Sequence, residues 1–344
     1  MSVTGKNEIK NRNASPSAYG WAFQVGAGIK LMLENITEFT ALKMEGKNDD
    51  IELSLPSGKI YAQAKSVTVM GDQSSATEKL KKALETLSDD ATKDNNSIKL
   101  IYITNILNPF SSSLQNSPYY NCYDTSYNYS ILPAEDREKI RKIVGDDFPV
   151  EQLQVHVVRF FGEGKNKFDG IKEYIKSFAR KVFDDASYSD LLLEKWCTLF
   201  LANAADVPKE DLRLSMNKKE ALYPVIVLAI DNPASCSEFQ KVCNYDDYDG
   251  VVESFKNLIN QRSAEYDFST ALLGDYTIHK SRIPTVEESS KFKYKYVIEH
   301  WQDYEKWFSE IKDAEKREAV TKLTLLTIIV RAVKLLNVKR VTNL

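Results

Sequence analysis

The chain has 344 residues, 43% apolar and 28% charged, globular proportions with material for one large or two ordinary domains. Its 46 Lys and Arg against 49 Asp and Glu leave a net charge of −3, which excludes a body that binds nucleic acid by bulk positive charge. The four cysteines (Cys122, Cys197, Cys236, Cys243) lack CxxC spacing, so a reduced, intracellular protein without a zinc ribbon is expected.

Residues 1–14 read as a polar arm with no apolar core of a secretory signal. Ser15-Pro16 opens a helix to about residue 35, whose apolar face is Tyr19, Phe23, Ala27 and Leu31; Gln24 on it reads as a solvated polar residue. Residues 38–44 suggest a first strand. Ile51, Leu53 and Leu55 then alternate with Glu52 and Ser54. Pro56-Ser57-Gly58-Lys59 is turn chemistry, and Ile60, Ala62 and Ala64 alternate with Tyr61, Gln63 and Lys65. This predicts a hairpin with Asp50 at its entrance. Gln63 and Lys65, two apart, share a face, so an acid, an amide oxygen and an ammonium converge on one edge of a small sheet.

Residues 70–75 read as a loop and 76–87 as a helix carrying Lys79, Lys81 and Lys82, either a solvated face or a DNA contact. Residues 98–104 have the composition of a buried strand. The Tyr-, Asn- and Ser-rich stretch 105–130 reads as a loop-like insertion packed on its own domain, with base stacking the alternative. A charged helix over 134–144 and a last strand over 152–160 close the domain at Gly162-Glu163-Gly164-Lys165, whose spacing is not that of a P-loop.

Beyond residue 168 the pattern is helical. Ile171, Ile175, Phe178 and Val182 mark one amphipathic face, and further helices are expected over 191–205, 218–230, 251–266, 294–314 and 317–338. The last is the most apolar run, but Arg331 and Lys334 interrupt it, as suits a packed or partner-facing helix rather than a membrane span. The aromatic stripe Tyr296, Trp301, Tyr304, Trp307 and Phe308 reads as core. Asp246-Asp247-Tyr248-Asp249-Gly250 lacks the ligand spacing of a calcium loop, and His156, His279 and His300 read as structural.

A carboxylate and a second oxygen donor beside a lysine suit phosphodiester hydrolysis: the oxygens hold Mg²⁺ and the lysine orients water and offsets developing charge. The pattern Asp50, then Gln63-Ala64-Lys65, resembles the PD-(D/E)xK nuclease superfamily in its variant with Gln in place of the second acid, and Glu45 would complete the acidic cluster. With Tyr19-Gly20-Trp21-Ala22-Phe23-Gln24 ahead of the hairpin, it resembles the double-stranded-DNA nuclease domain of CD-NTase-associated anti-phage effectors, which also forms the nuclease subunit of some Lamassu systems.

The resemblance, which covers the first third to half of the chain, implies an α/β restriction-endonuclease-like domain over 15–166 (helix, three-stranded hairpin sheet, helix, strand); the helical pattern beyond it reads as an all-α docking or regulatory domain over 167–344. It implies Asp50, Gln63, Lys65 and Glu45 as catalytic residues, with Asp50, Gln63 and Glu45 on Mg²⁺ (or Mn²⁺), and Gln24 and Asp49 bordering the site. It further implies duplex DNA as substrate, an SMC-like ATPase and an accessory subunit as partners, homo-oligomerisation as the switch, and a bacterial cytoplasmic location without a membrane. The readings left beside it are a non-catalytic scaffold with the same fold, motivated by the neutral amide of Gln63, and a helical adaptor whose first domain is only structural.

Overall fold

The computed structural model describes residues 15–44, 50–113, 119–205, 215–261, 265–283 and 286–344. Helix α1 (Ser15–Glu34) leads into strands β1 (Ala41–Met44), β2 (Ile51–Leu55) and β3 (Gly58–Lys65), then α2 (Ala76–Lys93) and β4 (Ser97–Thr104). There follow β5 (Thr125–Asn128), α3 (Ala134–Val144), β6 (Leu153–Val157), α4 (Asp169–Phe183), α5 (Ser189–Ala205) and the two-residue β7 (Met216–Asn217). The rest is helical: α6 (Lys218–Ile230), α7 (Cys236–Phe239), α8 (Tyr248–Gln261), α9 (Glu265–Lys280), α10 (Val286–Tyr304), α11 (Ala314–Val330) and α12 (Ala332–Thr342). The architecture is mixed α/β with a helical C-terminal region.

The small hairpin sheet of the sequence reading is part of a larger one. Seven strands run in the order β5-β6-β4-β3-β2-β1-β7. β1, β2 and β3 form an antiparallel meander, whereas β3, β4 and β6 are parallel, with α2 returning the chain between β3 and β4. β3 is therefore central, not at an edge, and five consecutive residues of it, Ile60 to Ala64, are buried. The alternation signalled one covered face, but helices cover both. β5, inside the stretch read as loop, pairs antiparallel with β6; Tyr120 and Tyr127 are buried there, as expected of an insertion packed on its own domain.

The turn between β2 and β3 depends on one residue. Gly58 has φ +142°, and a Cβ there would lie 2.4 Å from the Asn96 carbonyl oxygen. On one face of β3, Tyr61 packs with Leu80, Leu84 and Leu87 of α2 and with Leu100 and Tyr102 of β4. Burying each of those leucines contributes about 2 kcal/mol. That outweighs the roughly 1 kcal/mol that α2 forgoes by starting without a side-chain bond from its N-cap Ser75. The other face takes α1, which is buried from Val25 to Met32 and so has no solvated face over that length. Gly28 permits the approach to β1: a Cβ there would stand 2.8 Å from the Met44 sulfur.

Two compact units result, one of residues 1–35, 39–174 and 197–215, the other of 36–38, 175–196 and 216–344. Residues 197–205 cluster with the first unit. In the second unit α11 is the central helix, buried from Ala319 to Ile329. Its threonines satisfy their hydroxyls locally: Thr321, Thr324 and Thr327 donate to the carbonyls of Arg317, Val320 and Leu323 at 2.7–2.8 Å.

The single helix expected over 317–338 is two, parting at Arg331, whose guanidinium leaves to bond the Asn232 carbonyl. The helix expected over 251–266 ends at Gln261, and α9 begins at Glu265. α10 starts earlier than expected and ends at Tyr304, where a 3₁₀ turn, Glu305–Phe308, takes over. The aromatic stripe contributes Tyr296 and Phe308 to the core, and the Tyr296 and Tyr304 hydroxyls both donate to the Asp275 carboxylate. Among the described residues no helix is long and apolar enough to cross a membrane.

Candidate active site

Register places the site. β2 and β3 pair Ile51 with Ala62 and Glu52 with Tyr61, so Asp50, one residue before β2, stands opposite Gln63. β3 and β4 pair Gln63 with Tyr102 and Lys65 with Thr104. Asp50, Gln63 and Lys65 thus lie on the face covered by α2, at the end of β3 from which the chain departs toward that helix.

The three side chains meet. The Lys65 ammonium donates to Asp50 Oδ2 at 2.9 Å and to Gln63 Oε1 at 2.9 Å, while the Ala64 N–H donates to the same Asp50 oxygen at 2.7 Å. Asp50 is 8% exposed and Gln63 2%, whereas the Lys65 side chain keeps 27% of its surface in water. A buried carboxylate survives here because it accepts from a main-chain amide and an ammonium together. The expected convergence of acid, amide and ammonium is present.

The fit to a divalent cation can be judged from these donors. The oxygens of Asp50 and Gln63 already share one cationic group, the Lys65 ammonium, so they lie within reach of a single cation. Both are hard oxygens of the kind Mg²⁺ takes, and an ion that keeps several waters needs only one or two protein donors. Among the described residues no group of three or more His, Cys, Asp or Glu could hold a metal. Glu45 and Asp49, expected beside Asp50, lie outside the described residues.

The remaining expected residues divide. Gln24 is on α1, which packs on the opposite face of β3; its Oε1 is buried without a hydrogen-bond partner and does not bond to the three-residue cluster. Lys82 pairs with Glu78 at 2.6 Å and Lys81 with Glu85 at 3.7 Å, both exposed i,i+4 pairs of a solvated helix face. Lys79 is different. It is half-buried, and its ammonium is held below the ordinary lysine range by that burial, with Glu78 opposing and the nearby Lys65 charge adding to the depression. Lys79 therefore shares the electrostatic environment of Lys65.

Compared with family models, with curated proteins and with solved structures, the chain matches none.

Two polar clusters in the first unit escaped the sequence reading. Asn105, 0% exposed just after β4, accepts the Val67 N–H at 2.8 Å, donates to the Val67 carbonyl at 2.7 Å and to the Phe160 carbonyl at 3.0 Å. Lys30 of α1, 1% exposed, bonds Glu34 Oε1 at 2.5 Å and His156 Nδ1 at 3.3 Å. Burial, reinforced by the Lys30 and Lys99 charges, pushes His156 down to about 3, so the ring is neutral. Its Nδ1 then accepts from Lys30, and its Nε2–H donates to Gln154 Oε1 at 3.2 Å. Neither cluster had a local signal, since an asparagine after a strand and a lysine in an apolar helix look like loop and surface.

Proposed function

We propose that the chain is a metal-dependent endonuclease that cleaves double-stranded DNA. The observation that carries the reading is the Lys65 ammonium bonded to both the Asp50 carboxylate and the Gln63 amide oxygen. A bound Mg²⁺ or Mn²⁺ would polarise the scissile phosphate and lower the pKa of a coordinated water. Asp50 and Gln63 would hold that cation, Lys65 would turn from them to orient the attacking water and offset charge on the phosphoryl oxygens, and Lys79 would attract the substrate backbone. The order α1, β1-β2-β3 meander, α2, β4 supports a restriction-endonuclease-like reading of the sheet. By resemblance, the protein would act as the effector of an anti-phage complex, inactive until an SMC-like ATPase and an accessory subunit, or self-association, concentrate it on DNA.

The test is cleavage of plasmid and linear duplex with Mg²⁺, Mn²⁺ or EDTA, by the protein alone and with extract of its native host. Metal-dependent cutting lost in Asp50→Ala and Lys65→Ala is expected. The second reading is a non-catalytic scaffold, favoured by the fact that Lys65 already engages an oxygen of each proposed metal ligand. Absence of cutting by folded wild type under every condition would establish that reading over the enzyme.

A further inference from the structure

Two of the chain's three histidines, His279 and His300, touch each other, although their sequence spacing is that of no zinc motif. His279 lies in the last turn of α9 and His300 near the end of α10. The packing of these helices sets the two rings with centres 4.8 Å apart, inclined at 55°. The buried Tyr296 ring backs both, 4.7 Å from His300 and 5.7 Å from His279.

The hydrogen bonds decide which nitrogen is free. His279 Nδ1 lies 3.0 Å from the Asp275 carbonyl oxygen and 3.5 Å from the Asp275 carboxylate, and His300 Nδ1 lies 3.2 Å from the Asp303 carboxylate. A carbonyl and a carboxylate can only accept, so each Nδ1 carries a proton and donates it. In the neutral ring the lone pair is then on Nε2. Among the described residues neither Nε2 makes a hydrogen bond, and the two side chains stay 32% and 26% exposed.

A metal-ligating imidazole gives one nitrogen to the ion and ties its other N–H to a carbonyl or carboxylate, which fixes the tautomer and strengthens the ligand. His279 and His300 both have that second bond in place. His156 is the contrast: it is buried, and both of its ring nitrogens are bonded, to Lys30 and Gln154. The spacing also agrees, since two imidazoles on one tetrahedral zinc, with Zn–N bonds of about 2.0–2.1 Å, have ring centres about 5 Å apart. The flanking lysines do not compete, because the Lys280 ammonium lies over Tyr276 and that of Lys295 faces Glu299.

We propose that His279 and His300 form a two-imidazole site for a divalent transition ion of the zinc class, oriented by the Asp275 carbonyl and the Asp303 carboxylate. Imidazole nitrogens suit zinc, copper and nickel rather than Mg²⁺, so this site differs in kind from the oxygens of Asp50 and Gln63. Among the described residues no third His, Cys, Asp or Glu joins the pair, so water fills the remaining positions and the site is open. An ion there ties the end of α9 to α10. The proposal is independent of the nuclease reading.

The experiment titrates ZnCl₂ calorimetrically into full-length protein stripped with EDTA and then freed of chelator, with millimolar Mg²⁺ present to occupy oxygen sites. Wild type and His156→Gln are expected to bind one zinc per chain with a common affinity, and His279→Gln and His300→Gln to lose that equivalent. Asp303→Ala, at a side chain that is 70% exposed, is expected to keep the stoichiometry but bind about tenfold more weakly. Zinc should raise the melting temperature of wild type and not of the His279 and His300 variants; matching melts of all three without zinc are the folding control. If either variant takes up zinc as wild type does, the ion sits elsewhere, the cysteines included, and the proposal falls. Folded wild type that binds no zinc from micromolar to millimolar concentration would overturn it as well.

Discussion

Asp50 separates structure from chemistry, because one carboxylate oxygen serves both. Truncation in Asp50→Ala strips the acceptor from the Ala64 N–H, and Ala64 is 5% exposed, so no solvent replaces it. An orphaned buried amide costs about 1–3 kcal/mol. Losing the Lys65 pair adds less, about 0.5–1 kcal/mol, because a lysine that is 27% exposed finds water and Gln63 instead. The total is about 1.5–4 kcal/mol.

Asp50→Asn keeps a carbonyl oxygen for the amide and loses only charge, about 1 kcal/mol. Lys65→Ala leaves the Asp50–Ala64 bond intact and should also cost about 1 kcal/mol. Urea unfolding followed by tryptophan fluorescence reads the order directly: Asp50→Ala should melt about 1 M earlier than the other two, given slopes of about 2–3 kcal/mol per M. Under the nuclease proposal all three lose cleavage alike. Equal midpoints for Asp50→Ala and Asp50→Asn would refute the idea that this carboxylate holds the β2–β3 entrance together. An Asp50→Asn protein that cuts DNA as wild type would remove Asp50 from the chemistry.

His156 makes stability depend on acid. Its folded pKa, about 3, lies below the ordinary value of 6.5, so the unfolded chain binds a proton that the folded one refuses, and stability falls as pH drops from 6.5 toward 3. The loss approaches about 1.4 kcal/mol per pH unit; His156→Gln, which keeps an acceptor for Lys30, should flatten that part of a stability–pH curve, and an unchanged slope would contradict the assignment. Gly58→Ala forces a left-handed φ and a 2.4 Å approach to the Asn96 carbonyl, so a loss of at least 2 kcal/mol is expected by urea unfolding; a neutral outcome would mean the turn adopts another conformation.

The candidate site was legible because its signals are local. Alternation fixed the faces of Asp50, Gln63 and Lys65, and the Pro-Ser-Gly-Lys turn set their register, so the cluster followed from about fifteen residues. What was not legible depended on distant pairing. β3 reads as half-buried in isolation, and only β4, brought alongside by α2, makes it central. β5 lies in a Tyr- and Asn-rich stretch with little strand composition, and β6 supplies the ladder that makes it a strand. The break at Arg331, whose backbone leaves helical geometry at φ −94° and ψ 9°, falls inside a pattern that is continuous in sequence. Lys30 and Asn105 are unremarkable by type; their roles come from what surrounds them after folding.

Electrostatics link this site to the regulation proposed for it. Lys65 is neutralised by Asp50, and Lys81 and Lys82 by Glu85 and Glu78, so little positive charge in this part of the fold is left to meet phosphates. With a net charge of −3 over the whole chain there is no background field to compensate. Non-specific DNA affinity scales steeply with the number of phosphates neutralised, so a seat offering only one or two cations binds duplex weakly at physiological salt. Linking several such seats in one assembly converts later contacts into intramolecular ones at millimolar effective concentration, a gain of about 10²–10⁴ without any new contact. On the nuclease proposal, the sparse charge of the free chain is thus itself a safeguard: cutting would follow assembly because only assembly holds the site on DNA long enough for Lys65 to exchange Asp50 for a phosphate.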